Sequence, residues 1–575
     1  MNAAAAAPPT SRARRDALIL AALLFAFFAS RIAWVVLEPN TTLYWEEDHR
    51  WASAHELLEG ARRPLLDYQA DHYQGGSLVL VLMVAAVFRV FGESLLGLKL
   101  VAMFFAAATL AALYVLGRRE FGRWVGPLAA GAYLTGPPLL AFSGLVGMGS
   151  HGESALFSLA QIAIFLGLLS GGRRTPAAWA ALGVVSGLGI WFCYTSGLSL
   201  AACGLTWLIL ERLPRPKELF AAIGGALLGL LPWFVYNLQH DFVGLTRLAE
   251  IFGGGHPIDA WMPHDRWMKL WLLFRRDLAL GLVTPFWFTA SSPTAPIRIG
   301  AVFAPMAVGM ALAVFRALRL LATTPWRRER PSPGSRPARD RAELVFVVYA
   351  ALYLVVYFGS SFVLEPDKGA HTYRLFLPVA TLMLVPIARS AASALESGGA
   401  ARWAAGALCV GFFAASTLSA WATATRETSE SSASDADQHL NRGNLVRGVL
   451  SHRKYESDLG RAFGEARLVP DSWHRSRFFQ GIGWGLAFRL ENSGVKPGFF
   501  REIDALSLAE RTAVISGILG SSTARIADLE RSQREGKMTR LELAHLKRVL
   551  WLERSARARW DRIPESYRTR VEVSD

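Results

Sequence analysis

The chain has 575 residues, of which 52% are hydrophobic and 19% charged, with a formal net charge of +15. So apolar a composition at this length excludes an ordinary soluble protein and implies a polytopic membrane protein. It also removes nucleic acid as the reason for the charge, because much of the arginine lies in short loops between apolar runs, where the positive-inside rule accounts for it.

In chain order, residues 1–16 end in the basic stretch "RARR" and read as a cytoplasmic N-terminus of a bacterial-type inner-membrane protein. The apolar run that follows continues to about residue 37, long enough to span, which predicts a retained signal anchor rather than a cleaved leader. A polar loop, 38–94, opens with "YWEEDHRW" at 44–51 and contains a short apolar run, 75–92, that ends at Arg89. Counting that run as a span would reverse every later loop and put "GRREFGR", "RLPRPK" and "RRERPSPGSRPARDR" outside together, so it reads as interfacial or re-entrant. Later apolar runs lie near 95–116, 125–142, 154–171, 176–194, 196–211, 218–239, 299–318, 343–361, 374–393 and 403–421. With the first run they predict an all-α membrane domain, 17–421, of about 11 spans, whose outward loops are 38–94, 143–153, 240–298 and 362–373. Cys193, Cys203 and Cys409 fall inside apolar runs and read as small buried hydrophobes.

The last span then exits into a Ser/Thr/Asp-rich linker, 422–445, and an extracytoplasmic helical domain, 446–575. Capping-box patterns at Ser507–Glu510 and Thr539–Glu542 support helices there. The glycines of "FFQGIGWG" (481, 483 and 485) lack the strand and lysine of a phosphate loop and are expected to serve close helix packing.

Four groups of residues carry candidate chemistry. Glu46, Glu47 and Asp48 crowd the start of the first outward loop. They suit a helix's first turn, with Glu46 and Arg50 at i,i+4; placed near the membrane–water edge they also suit general-base work, since neighbouring carboxylates raise one another's pKa. In the second loop Glu153 follows Ser150 as a capping-box partner or as a second acid. Lys368, His371 and Arg374, with His72 and Arg266, form a cationic set suited to a lipid phosphate, the alternative for Arg374 being interfacial anchoring. Asp67, Asp71 and His72 are weak candidates for a divalent metal ion; no cofactor is otherwise implied.

These residues resemble the GT-C membrane glycosyltransferases, especially the protein O-mannosyltransferase, aminoarabinose-transferase and RgtA/B/C/D-like branch. The resemblance rests on the acid pair about fourteen residues before Gly60, on "VFRVFGESLLGLKLVAMFFAAATLAALYVLGRREFGRWVGPLAAGAYLTGPPLL" at 87–140, on "LLPWFVYNLQHDF" and on "HTYRLFLPV", and covers roughly 15–395. It implies a GT-C-like bundle with extracytoplasmic juxtamembrane helices and an inverting glycosyltransferase. Such an enzyme moves a sugar from a polyprenyl-phosphate carrier to a hydroxyl on an envelope glycan, lipid or protein. Carried over, Glu46 is the base, Glu47 its neighbour and Glu153 the second-loop acid. Glu46 stands where the family has Asp, Asp48 where it often has Ala, and "HYQGG" at 72–76 where it has "KPP" or "HPP". The alternative is a non-catalytic GT-C-like anchor that presents the helical tail to envelope components.

Overall fold

A computed structural model describes residues 11–37, 44–170, 174–211, 213–246, 249, 266–279, 295–323, 335–360, 373–424, 436–455, 458–493, 499–534 and 540–572. Its helices begin with α1 (Ser11–Leu37), α2 (Trp45–Glu59), α3 (Gly76–Phe91), α4 (Leu95–Leu116), α5 (Val125–Thr135), α6 (Pro138–Ser143), α7 (His151–Leu169) and α8 (Pro176–Phe192). They continue with α9 (Ser196–Leu210), α10 (Pro216–Gly229), α11 (Leu231–Gln239), α12 (Arg266–Leu272), α13 (Ala295–Thr323), α14 (Arg336–Gly359), α15 (Leu377–Glu396) and α16 (Gly399–Ala424). The tail adds α17 (Ala436–Lys454), α18 (Leu459–Arg467), α19 (Ser472–Ser493), α20 (Phe499–Asp504), α21 (Leu508–Arg534), α22 (Arg540–Trp560) and α23 (Glu565–Glu572). Among the described residues there is no strand, only an isolated bridge between Asp71 and Gln74. The protein is an all-α, multi-pass membrane protein.

Among the described residues seven helices are long and apolar enough to cross a membrane, or eight if the α10–α11 pair, bent by 52°, counts as one span. The expectation of about 11 differs for a local reason. The run 125–142 is broken between α5 and α6, where Pro137 bars Gly136 from continuing the helix. Helices α8 and α9 have only 17 and 15 residues. The run 75–92 forms α3, an apolar helix of 16 residues, shorter than the usual span.

The chain divides into two compact units. The first comprises Met1–Leu43, Lys99–Gln239 and Pro263–Ala433; the second comprises Tyr44–Leu98, His240–Met262 and Ser434–Asp575. The loop 38–94, expected to go with the membrane domain, thus clusters from Tyr44 onward with the tail.

In the first unit α8 and α10 approach to backbone contact. A Cβ on Gly183 would stand 2.1 Å from the Ala222 carbonyl oxygen, and one on Gly229 would stand 2.3 Å from that of Val184, so only glycine fits this small-residue seam. Buried charge is locked in a cluster: Arg316 grips Glu343 through Nε (2.8 Å) and Nη2 (2.6 Å), and Arg389 Nη1 donates to the same carboxylate at 2.7 Å.

In the second unit α17, α19 and α21 stack the same way. A Cβ on Gly481 would meet the Leu445 carbonyl oxygen at 1.9 Å, one on Gly483 that of Val514 at 2.0 Å, and one on Gly517 that of Gln480 at 1.9 Å. The "FFQGIGWG" glycines do serve helix packing, beside a core that includes Phe478, Phe479, Ile482, Val514 and Ile518. Ser507 and Glu510 make the expected reciprocal cap, at 3.1 and 3.4 Å; Thr539 lies outside the described residues. The tail is helical from Ala436, ten residues earlier than position 446, within what composition marked as linker. Isolated short helices are marginal in water, and α17 gains its order from packing on α2 and α19.

Candidate active site

The second unit gathers the acidic triplet. Tyr44 is extended (φ −137°, ψ 128°), α2 begins at the next residue, and Glu46, Glu47 and Asp48 occupy its first turn, where the helix dipole favours negative charge. The helix ends at Gly60, whose φ of +118° suits glycine alone. The expected place at the water edge is covered by protein: Glu46, Glu47 and Asp48 are only 9, 2 and 7% exposed.

Their environments differ. Glu46 lies 3.5 Å from Arg50 Nη2, the anticipated i,i+4 pair, and Arg50 Nη1 also donates to the Glu46 carbonyl. Asp48 Oδ1 lies 2.8 Å from Nδ1 of His439 on α17. The His439 ring stacks on Trp51 at 4.5 Å, and a Cβ on Gly443 would stand 2.2 Å from the Asp48 carbonyl oxygen. The extra carboxylate of the triplet is therefore a tie to the tail.

Further ties run down α2. Trp51 Nε1 donates to Glu93 at 3.0 Å, and His55 Nδ1 stands 2.6 Å from the same carboxylate. Glu56 accepts from Tyr68 OH at 2.6 Å and from Arg447 of α17, while Arg63 bridges Glu56 (3.5 Å) and Glu465 (3.3 Å). Burial pushes Glu56 up, but Arg447, Arg63 and Tyr68 together hold it below the usual carboxylate range. Glu465 is likewise pushed up by burial and pulled below its usual range by Arg63 and Lys454. Burial drives the His49 imidazole well down, and Arg50, Arg447, Arg63 and Lys454 add to it. His49, Arg63, Gln69, Arg447, Lys454 and Glu465 are among the residues lining a small polar cleft.

The candidate metal residues point to different partners. Asp67 pairs with His240 at 2.9 Å, Asp71 with Arg453 at 2.7 Å, and His72 Nε2 is 2.5 Å from the Lys454 carbonyl oxygen. Among the described residues no three His, Cys, Asp or Glu side chains are arranged to hold a metal ion. Of the cationic set, Lys368 and His371 lie outside the described residues, as does the Arg266 side chain. Arg374 starts the turn Arg374–Phe376 in the first unit, and His72 is in the second.

Glu153 belongs to the first unit, at the start of α7. Its carboxylate accepts from the amides of Met148 (2.7 Å), Gly149 (3.1 Å) and Ser150 (3.2 Å), so it orders the preceding loop, including Gly149 at φ +62°. Nearby, His151 Nδ1 is 3.3 Å from Thr195 Oγ1 and 3.5 Å from Cys193 Sγ. Sequence reasoning did not single out His439, Arg447, Arg63 or Glu465. The only trace was the basic run "LSHRK" ending α17 and the pair "RR" after Gly60, neither of which announces a partner.

The sequence model of a family described as dolichyl-phosphate-mannose-protein mannosyltransferase matches residues 76–236, less than a third of the chain. The match overlaps the stretch 87–140 and reaches "LLPWFVYN", which carried the resemblance read from the sequence. No curated protein matches the chain by sequence. A solved structure, the apo form of the Archaeoglobus fulgidus oligosaccharyltransferase, is similar at 13% identity and a TM-score of 0.40; the alignment covers 80% of this chain and 60% of that one.

Proposed function

We propose that the protein is an inverting glycosyltransferase that moves a sugar from a polyprenyl-phosphate carrier to a hydroxyl of an envelope glycan, lipid or protein at the extracytoplasmic membrane face. The observation that carries the reading is the buried carboxylate triplet opening α2, just ahead of the residues that match the family. In this reading Glu46 takes the proton of the acceptor hydroxyl. The oxygen attacks the anomeric carbon, the bond from that carbon to the phosphate oxygen breaks, and the lipid phosphate leaves from the opposite side. Glu47 is its neighbour, and Glu153 orders the second loop. Lys368, His371, Arg374, Arg266 and His72 are the proposed cations for the phosphate.

A second reading, a non-catalytic anchor, is favoured by one observation: α17 packs on α2 and its His439 holds Asp48. Lipid and glycan profiling of a strain lacking the protein separates the two. The enzyme reading expects a sugar missing from an envelope polymer or lipid and its lipid-linked form accumulated. The wild-type chain should reverse both, and Glu46→Gln should fall short by about 100-fold or more in transfer while still inserting. Full rescue by Glu46→Gln would end the assignment of the base, and an unchanged profile in the deletion strain would favour the anchor.

A further inference from the structure

The cleft in the second unit presents donors with nothing to bond. Arg63 Nε and Nη2, Arg447 Nε and His49 Nδ1 are buried, and none has a hydrogen-bond partner among the described residues. Buried polar atoms are nearly always satisfied; the same lining holds two orphan acceptors, Asp67 Oδ1 and Gln69 Oε1, so the four orphan donors outnumber the acceptors left to them and call for another. The carboxylates at hand reach other atoms, Glu465 meeting Arg63 only through Nη1 at 3.3 Å. Glu56 takes Tyr68 and the far end of the Arg447 guanidinium; Glu465 takes Ser451 at 2.9 Å and Tyr455 at 3.0 Å; Asp67 faces His240. Arg63 Nε stands 3.5 Å from Glu56, an ion pair too long to satisfy that donor. The charges that act on His49 are all positive, and burial holds both Arg447 and Lys454 below their ordinary values despite the carboxylates around them. The free space at the centre is about that of one water, the size of a single oxygen atom.

We propose that this cleft is an anion subsite that takes one oxygen of a carboxylate or phosphate group, bonded by Arg63, Arg447 and His49, with the rest of the ligand at the mouth. The ligand class is a uronic-acid sugar or a phosphate ester, free or on a lipid. Two arginines supply charge-assisted bonds that a neutral hydroxyl would not fully repay. His49 follows directly on Asp48 in α2, so a ligand anchored here lies one residue along the helix from the acidic triplet. The inference concerns binding alone and stands whether or not the chain transfers a sugar.

The test is the unfolding midpoint of the purified full chain in neutral detergent, titrated with inorganic phosphate and with glucuronate against sodium chloride of equal ionic strength. A further arm holds the chain in nanodiscs with and without phosphatidylglycerol. The subsite predicts a saturable rise of about 1–3 °C with at least one anion. Arg447→Lys, which keeps the charge and loses the fork, and His49→Phe should each weaken it by about tenfold. Arg461→Gln, an exposed arginine of the same unit, should not. A response confined to the phosphatidylglycerol nanodiscs identifies the source as a headgroup; one to the free anions identifies a soluble ligand. No saturable response in any arm, or one that survives both His49→Phe and Arg447→Lys, overturns the proposal.

Discussion

The two units bury charge in different ways. In the first, Arg316, Glu343 and Arg389 come from α13, α14 and α15, successive membrane-length helices, and one carboxylate is gripped by two guanidinium groups. In the second, the buried pairs join stretches nearly 400 residues apart in sequence: Asp48 with His439 and Glu56 with Arg447 are each separated by 391 positions. Both units use glycine to bring helix backbones together. The difference teaches that in the first unit ion pairs trim a bundle already specified by apolar helices, whereas in the second they specify which distant segments belong together.

The largest effect should come from breaking a tie of the second kind. Arg447→Leu leaves Glu56 buried without its α17 partner and should cost about 3–5 kcal/mol, read as a lower midpoint for protease cleavage of α2 and the tail. Arg389→Leu in the first unit should cost less, because Arg316 keeps its two bonds to Glu343. Similar losses would erase the distinction.

Glycine substitution comes next. Gly481→Val has no space at the Leu445 carbonyl and should cost about 3 kcal/mol, as should Gly187→Val against Ala226 in the first unit. Gly464→Ala and Gly204→Ala meet nothing within 4 Å and, being helical, should gain about 0.5–1 kcal/mol. Thermal unfolding of the four variants checks this, and equal losses at open and closed positions would contradict the close packing.

Much of this was legible beforehand. Apolar runs and basic loops predict the all-α membrane architecture, the spacing of Ser507 and Glu510 predicts their cap, and the glycines of "FFQGIGWG" signal packing. What the sequence hides is pairing at a distance. Nothing local in "DADQHLNRGNLVRGVL" says that His439 will hold Asp48, and composition there argues for a linker. The break after Gly136 was readable from the following proline, but the apolar pattern masked it. At the candidate site, Glu46–Arg50 and Glu153 with its amide partners follow from local spacing, while the cleft of Arg63 and Arg447 needs the fold.

Acid sharpens the comparison further, with a smaller effect, because the ties of the second unit titrate. His49 is held well below its ordinary value, so the unfolded chain takes up its proton first and stability falls as pH drops below about 6.5. Glu56, Asp67 and Glu465 are held low; their contribution is complete above about pH 4.5 and is lost as pH falls through their folded values. His55, raised by its bond to Glu93, runs the other way, contributing below about 6.5 and fading as pH rises through its folded value. A scan of unfolding midpoint from pH 8 to 3 should therefore rise as His55 gains its proton and then decline in two stages, from about 6.5 and from about 4.5, with the first decline absent in His49→Phe.

The central structural claim is that the first loop and the tail fold as one body. Hydrogen–deuterium exchange of the full chain and of a chain ending before Ser434 tests it most directly. The account predicts that amides of α2, Trp45–Glu59, lose most of their protection when the tail is removed, while those of α8 and α10 keep theirs. Unchanged protection of α2 in the shortened chain would contradict it.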